Sequence, residues 1–223
     1  MLFSETFNKL DRKTNIVEKT VALDKKEKNM ETIKEKDEQV RSAILMAAER
    51  VFQKWGLNKT TMEDIASEAG KGKSTLYYYY KSKEEIFDAV VKIELHRVLN
   101  KAQQAANALP TAKEKLKTYI VTCIYEMKNY AIIYNIARSE IKMSRDYLEK
   151  IRLTIQEKEE NFVREVLNQG FLSKEFHFID EEELETAVKA TVGIIHALEL
   201  YLMLENDDPK QIDIAVKLIT NGI

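Results

Sequence analysis

An all-α fold is what this sequence predicts, and three observations carry the prediction. Only two prolines and six glycines interrupt 223 residues. Lys, Glu, Ala, Leu and Ile, all comfortable in helices, are abundant. Apolar residues recur at the helical period in one segment after another. With 44% apolar and 32% charged residues, the chain can bury a core and keep a wetted surface. Its length suits one large domain or two small ones.

Residues 1–36 mix charges with weak periodicity and hold no glycine or proline. They read as a loose or partly helical extension, or as an arm that touches a partner, with Met30 a plausible alternative start. From Glu38 to about Lys54, Ile44, Ala47, Ala48, Val51, Phe52 and Trp55 share one helical face. Gly56 ends that helix. Thr60 or Thr61 then caps a second helix, Met62 to about Ala69, with Glu63 or Asp64 in its first turn. Gly70 stops it. A third helix covers about Lys73–Tyr80, and "SKEE" from Ser82 opens a fourth that reaches about Ala108, before Pro110.

The remainder continues as helix. Leu116, Tyr119, Ile120, Cys123, Ile124 and Met127 form one face of residues 112–129. Further helices are expected at about 130–142, 145–168 (ending at Gly170), 180–205 and 209–221, with acids at 180–183 favouring the positive end of the helix dipole. In the 180–205 helix, Leu184, Val188, Ile195, Leu198 and Leu202 form a stripe. Ala187, Ile194 and Tyr201 broaden it, and Ile212, Ala215, Leu218 and Ile219 add to it from the last helix. Such broad apolar cover suits both the chain's own core and a second subunit.

Composition narrows the function classes. The formal charge is −2, so the whole chain is not a polycation, yet Lys71–Lys83 holds four lysines and no acid. A local positive patch suits a polyanion at one site, although a solvated basic loop reads the same way. One cysteine, Cys123, excludes a disulfide framework and a Cys-based metal cluster. No secretory apolar core and no run of 18 apolar residues is seen, so the cytoplasm is the expected location and no membrane partner is expected. His96, His177 and His196 have no metal spacing, and no cofactor is expected. "GKGKST" lacks the spacing of a phosphate-binding loop and follows a helix rather than a strand. An enzyme is not expected.

Two short helices joined at a glycine behind a longer amphipathic helix describe a helix-turn-helix. Ala66 is small where the helices cross, Gly70 allows a left-handed turn, and Ile65 and Leu76 plug the small core. Next comes "LYYYY". At about 100° per residue, Tyr80 shares the side of Leu76, Tyr78 faces away, and Tyr77 and Tyr79 flank. Up to three tyrosines are therefore left for a partner. Phenol hydroxyls suit phosphate oxygens, phenol rings suit sugars and thymine methyls, and nearby lysines suit phosphate charge.

Residues 44–91 resemble the DNA-binding domain of the tetracycline-repressor (TetR) family. "AAERVF", "TTMEDIASEAG", "STLYYYY" and "SKEEIF" carry the resemblance, over about a fifth of the chain. It implies phosphate contacts from Thr61, Thr75, Tyr78, Tyr79 and Lys83, and places Lys73, Ser74 and Tyr77 nearest the base edges. The turn departs from the family pattern: "AGKG" stands where "AGVS" is usual, so Gly72 serves as a cap without a side-chain oxygen. The expected layout is a 1–36 extension, a 37–84 helix-turn-helix domain, and an 85–223 helical effector-binding and dimerisation domain. A homodimer on a double-stranded DNA operator is implied, with Leu184, Val188, Ile195, Leu198, Leu202, Ile212, Ala215 and Ile219 at its interface. A small, uncharged or amphipathic organic effector is implied too, with His96, Tyr119, Cys123, Met127, Tyr130, Tyr134, Phe162 and His196 as candidate lining. In the implied mechanism the free dimer represses at a palindrome and the effector releases it. The alternative is the same fold without an effector, under a protein partner or nucleoid-associated.

Overall fold

The computed structural model describes the backbone of residues 2–129, 150, 152–176, 182–204 and 209–222. Side chains are described for residues 30–127, 129, 150, 152–176, 182–199 and 210–220. The protein is all-helical among the described residues: α1 (Leu2–Lys59), α2 (Met62–Glu68), α3 (Lys73–Tyr79), α4 (Lys83–Asn107), α5 (Ala112–Asn129), α6 (Gln156–Leu172), α7 (Leu184–Leu204) and α8 (Pro209–Gly222). The expected 130–142 helix, Tyr130 and Tyr134 lie outside the described residues.

Helix α1 continues through the 1–36 extension and kinks at Gly56, whose φ of 75° only glycine adopts cheaply. Trp55 was expected on the buried face of α1 but is 43% exposed. It sits where the helix breaks, and its ring lies under the Lys54 ammonium instead, 4.9 Å away. One core runs through both halves of the chain. Ile44, Val51 and Phe52 of α1 meet Ile65, Leu76, Tyr80 and the first turns of α4, with Phe52 and Phe87 edge-to-face at 5.2 Å. Helix α4 then carries the core outward through Val90, Leu95, Leu99 and Ala106 to α5. Helices α6, α7 and α8 close around α5.

One element boundary is also corrected. The helix expected to end at Gly170 runs on to Leu172. Gly170 is needed for packing, since a Cβ there would lie 2.1 Å from Phe176 Cδ2. The chain reverses at Lys174 (φ 59°), and the Glu175 and Phe176 amides both donate to the Gly170 carbonyl, at 2.9 and 3.2 Å. Gly170→Ala should therefore destabilise the protein by about 1–3 kcal/mol, read from a denaturant melt. An unchanged midpoint would mean that the Phe176 ring moves aside freely.

The residues expected at the dimer interface also find their places. Val188, Ile195 and Ile212 are buried in the chain's own core, and Leu184, Leu198 and Ile219 pack against it, with Ala215 half-buried. Each helix shows its widest apolar face to its own chain, where burial gains most. The apolar surface left outward is Ala190, Gly193, Ile194 and Ala197 of α7 with Ile214 and Leu218 of α8. Leu202 lies outside the described side chains.

Candidate nucleic-acid interface

The local sequence builds a rigid frame for α3. Thr61 caps α2: its hydroxyl accepts from the Asp64 amide at 3.2 Å, and Asp64 Oδ2 in return accepts from the Thr61 amide at 2.9 Å and hydroxyl at 2.6 Å. These bonds hold the Asp64 carboxyl below its ordinary pKa. Gly70 turns the chain with φ 61°, and Gly72 caps α3 through its backbone alone. Ser82 caps α4 by accepting from the Glu85 amide at 3.3 Å, while Glu85 reaches back to the Lys81 amide at 2.7 Å.

Within that frame Leu76 and Tyr80 are buried, and Tyr78 points directly away, 79% exposed. Tyr77 is exposed beside it, Ser74 is exposed, and Thr75 is half-buried. Lys73 stands on the same outer side, with its ammonium 5.8 Å from the Tyr77 ring centre. The face so formed presents hydroxyls, phenol rings and cations to solvent. That is the chemistry that meets a nucleic-acid groove and its phosphates.

Besides Thr61, which is engaged with Asp64, three of the residues named from sequence already have partners inside the protein. Lys73 pairs with Glu63 at the start of α2, which raises the lysine pKa and lowers that of the glutamate. The Tyr79 hydroxyl donates to Asp37 Oδ1 at 2.7 Å, which raises its pKa. The other oxygen of Asp37 accepts from Arg41 Nε at 3.3 Å, and the Arg41 guanidinium sits 5.0 Å from the Tyr79 ring centre. Lys83 Nζ donates to the carbonyls of Leu57 (2.9 Å), Asn58 (3.2 Å) and Thr60 (3.0 Å), closing the end of α1. Asp37, Arg41 and Glu63 were missed from sequence. The Asp37–Arg41 spacing of four was legible, but the approach of Tyr79 and the pairing across the α2–α3 turn depend on tertiary geometry.

A second group of polar residues lies where α5, α6 and α7 meet. Tyr119 and Cys123 are fully buried beside Phe162, with the Tyr119 and Phe162 rings 4.6 Å apart. The Tyr119 hydroxyl is buried without a hydrogen-bond partner among the described residues. Burial pushes the Tyr119 hydroxyl and the Cys123 thiol up, so neither ionises near neutral pH. His196 Nε2 lies 2.7 Å from buried Glu159 Oε2, and Arg152 Nη2 donates to the His196 carbonyl at 3.2 Å. Burial alone would lower the His196 pKa, but Glu159 outweighs it and the imidazole titrates above its ordinary value. One turn on, burial and the charge of Glu159 push Glu199 up to about 7. Of the candidate lining, Tyr119, Cys123, Phe162 and His196 are in this region, and Met127 packs half-buried against the core. His96 lies apart, in an open α4–α6 groove of about 450 Å³, lined largely by polar groups such as Gln103, Asn107 and Lys158.

Comparison with known proteins agrees with this construction. Residues 44–90 match the family model described as bacterial regulatory proteins, tetR family. The Bacillus subtilis HTH-type transcriptional regulator YhgD is 33% identical over 127 residues, 51% of this chain and 66% of that protein, just under two thirds of its length. The solved structure of a candidate fatty acid metabolism regulator from Clostridium perfringens is 27% identical, with a TM-score of 0.55, covering 81% of this chain and 98% of the other. FadR of Bacillus subtilis, solved with stearoyl-CoA, shares the fold: TM-score 0.61, 21% identity, 82% and 98% covered. The helix-turn-helix geometry, the family model and these relatives agree: residues 44–90 form a DNA-binding domain of the tetR family of bacterial regulatory proteins.

Proposed function

We propose that the chain is a cytoplasmic repressor that binds a palindromic DNA operator as a homodimer and is released by a small, largely apolar ligand. The outward chemistry of α3 carries this reading: Leu76 and Tyr80 anchor it, while Ser74, Tyr77 and Tyr78 stay free at the surface. One short helix reads few base pairs, so two copies on half-sites one helical turn apart, about 34–36 Å, supply the rest. The outward apolar face of α7 and α8, centred on Ile194, Ile214 and Leu218, suits a second copy of the chain.

For the ligand, an acyl chain is the first to test, because the Clostridium perfringens relative is named for fatty acid metabolism. The apolar Tyr119–Phe162 region suits its tail, and the Arg152–His196–Glu159 group offers polar anchors for a head. The ligand shifts the equilibrium only by its preference for the state that does not fit DNA.

Selection of bound sequences from random duplex DNA tests the reading. An enriched palindrome is expected, and fatty acyl ligands added one by one should weaken its binding. Bound DNA without enrichment would favour a nucleoid-associated role. Tyr77→Phe should weaken the enriched site by about 0.5–1.5 kcal/mol, one hydrogen bond, with the dimer intact by sedimentation. Equal binding by the variant would remove the Tyr77 hydroxyl from the interface.

A further inference from the structure

We propose that Glu63, on α2, is a specificity-determining residue that reads a cytosine while Lys73 reads its paired guanine, so that the two recognise one G·C pair in each half-site. The inference rests on the reading of α3 as the recognition helix.

Glu63 and Lys73 form an ion pair across the turn, and both side chains stay more than half exposed, at 55% and 57%. The Lys73 ammonium also lies 5.8 Å from the Tyr77 ring centre. A carboxylate, an ammonium and a phenol thus stand contiguously on the outer side of the motif. The capping box of α2 is made by Thr61 and Asp64, so Glu63 is not one of its two side chains. The other acid at the surface of α2, Glu68, is turned toward Arg50 of α1.

A carboxylate on a surface that meets DNA is repelled by the phosphates. It is tolerated where it finds a donor, and the major groove offers two: cytosine N4 and adenine N6. The ammonium beside it selects between them. Guanine presents O6 and N7, the best acceptors for lysine, and its partner cytosine presents the N4 amino group next to them. The edge of one G·C pair therefore complements the Lys73–Glu63 pair, donor to acceptor and acceptor to donor. Opening the internal ion pair is compensated only where the bases supply both new partners. On other sequences Glu63 keeps Lys73 occupied and adds repulsion, which lowers non-specific affinity.

The test is sequence selection with the full-length wild type, Glu63→Ala, Lys73→Ala and the double variant, each checked for an unchanged melting curve. Wild type should enrich a G·C pair at one position of each half-site. Each single variant should relax that same position by roughly 5- to 150-fold and leave the palindrome's spacing and other positions unchanged. The double variant should relax it no further than the sum of the singles predicts. Glu63→Ala should also bind a non-operator duplex several-fold more tightly. An unchanged base preference in Glu63→Ala, or relaxation at different positions in the two single variants, overturns the proposal while leaving the DNA-reading function standing. A wild type that enriches no sequence overturns both together.

Discussion

Glu159→Ala is expected to lower folding stability by roughly 3–5 kcal/mol, the range for breaking a buried ion pair from one side. Glu159 is buried against His196 at 2.7 Å, and the imidazole is itself largely enclosed. Removing the carboxylate leaves a desolvated ring beside Arg152 without its acceptor. A denaturant melt measures the loss. A fall below about 1 kcal/mol would mean that water or Glu199 takes over the role.

The same cluster gives stability a direction with pH. His196 titrates above its ordinary value, so its contribution is complete at low pH and is lost as pH rises through the folded pKa. Glu199 moves from 4.5 to about 7. Between those values the folded chain holds a proton that the unfolded chain releases, so stability again falls as pH rises. Both groups predict a less stable protein at pH 8 than at pH 5, by on the order of 1–3 kcal/mol. Glu199→Gln should flatten the profile. A profile rising with pH would contradict the placement of both residues.

Lys83→Met is the second large effect, at about 2 kcal/mol of stability. The ammonium bonds three carbonyls at the end of α1, and the Thr60 side is buried. Methionine fills similar space but donates nothing. The expected pair of results is a lower melting temperature with a salt slope of DNA binding close to that of wild type. If melting is unchanged and the slope falls by about 0.9, the value for one phosphate contact, Lys83 belongs to the DNA surface instead.

The helices were legible because each carries its own signal: Gly56 and Gly70 at breaks, Thr61 and Ser82 at caps, and period 3.6 between them. The directions of the tyrosines followed from Leu76 and simple rotation. What escaped was set by packing between elements. The 180–205 stripe was read as suiting both the chain's own core and a second subunit, and in a helix with apolar residues on more than one side, periodicity does not say which side faces home. Ile194 was noted only as a residue that broadens the stripe, and it is one that stays outside. Gly170 looked like a stop and is a seat for Phe176, which no local pattern announces. Asp37, Glu63 and Glu159 find partners on other helices, so their roles become visible only when the chain is folded.

The bonds from Lys83 also bear on how a signal can travel. The first residue of α4 is pinned to the last turn of α1, and Phe87 a turn later is wedged against Phe52. Helix α4 therefore cannot swivel at its near end without dragging the whole three-helix head along. Any displacement that starts near α5 must arrive as a tilt of that head on a stiff shaft. If the chain is released by a ligand as proposed, a bend placed midway along α4, for instance by a proline, would uncouple the two ends and leave a head that still grips DNA but no longer responds to the ligand.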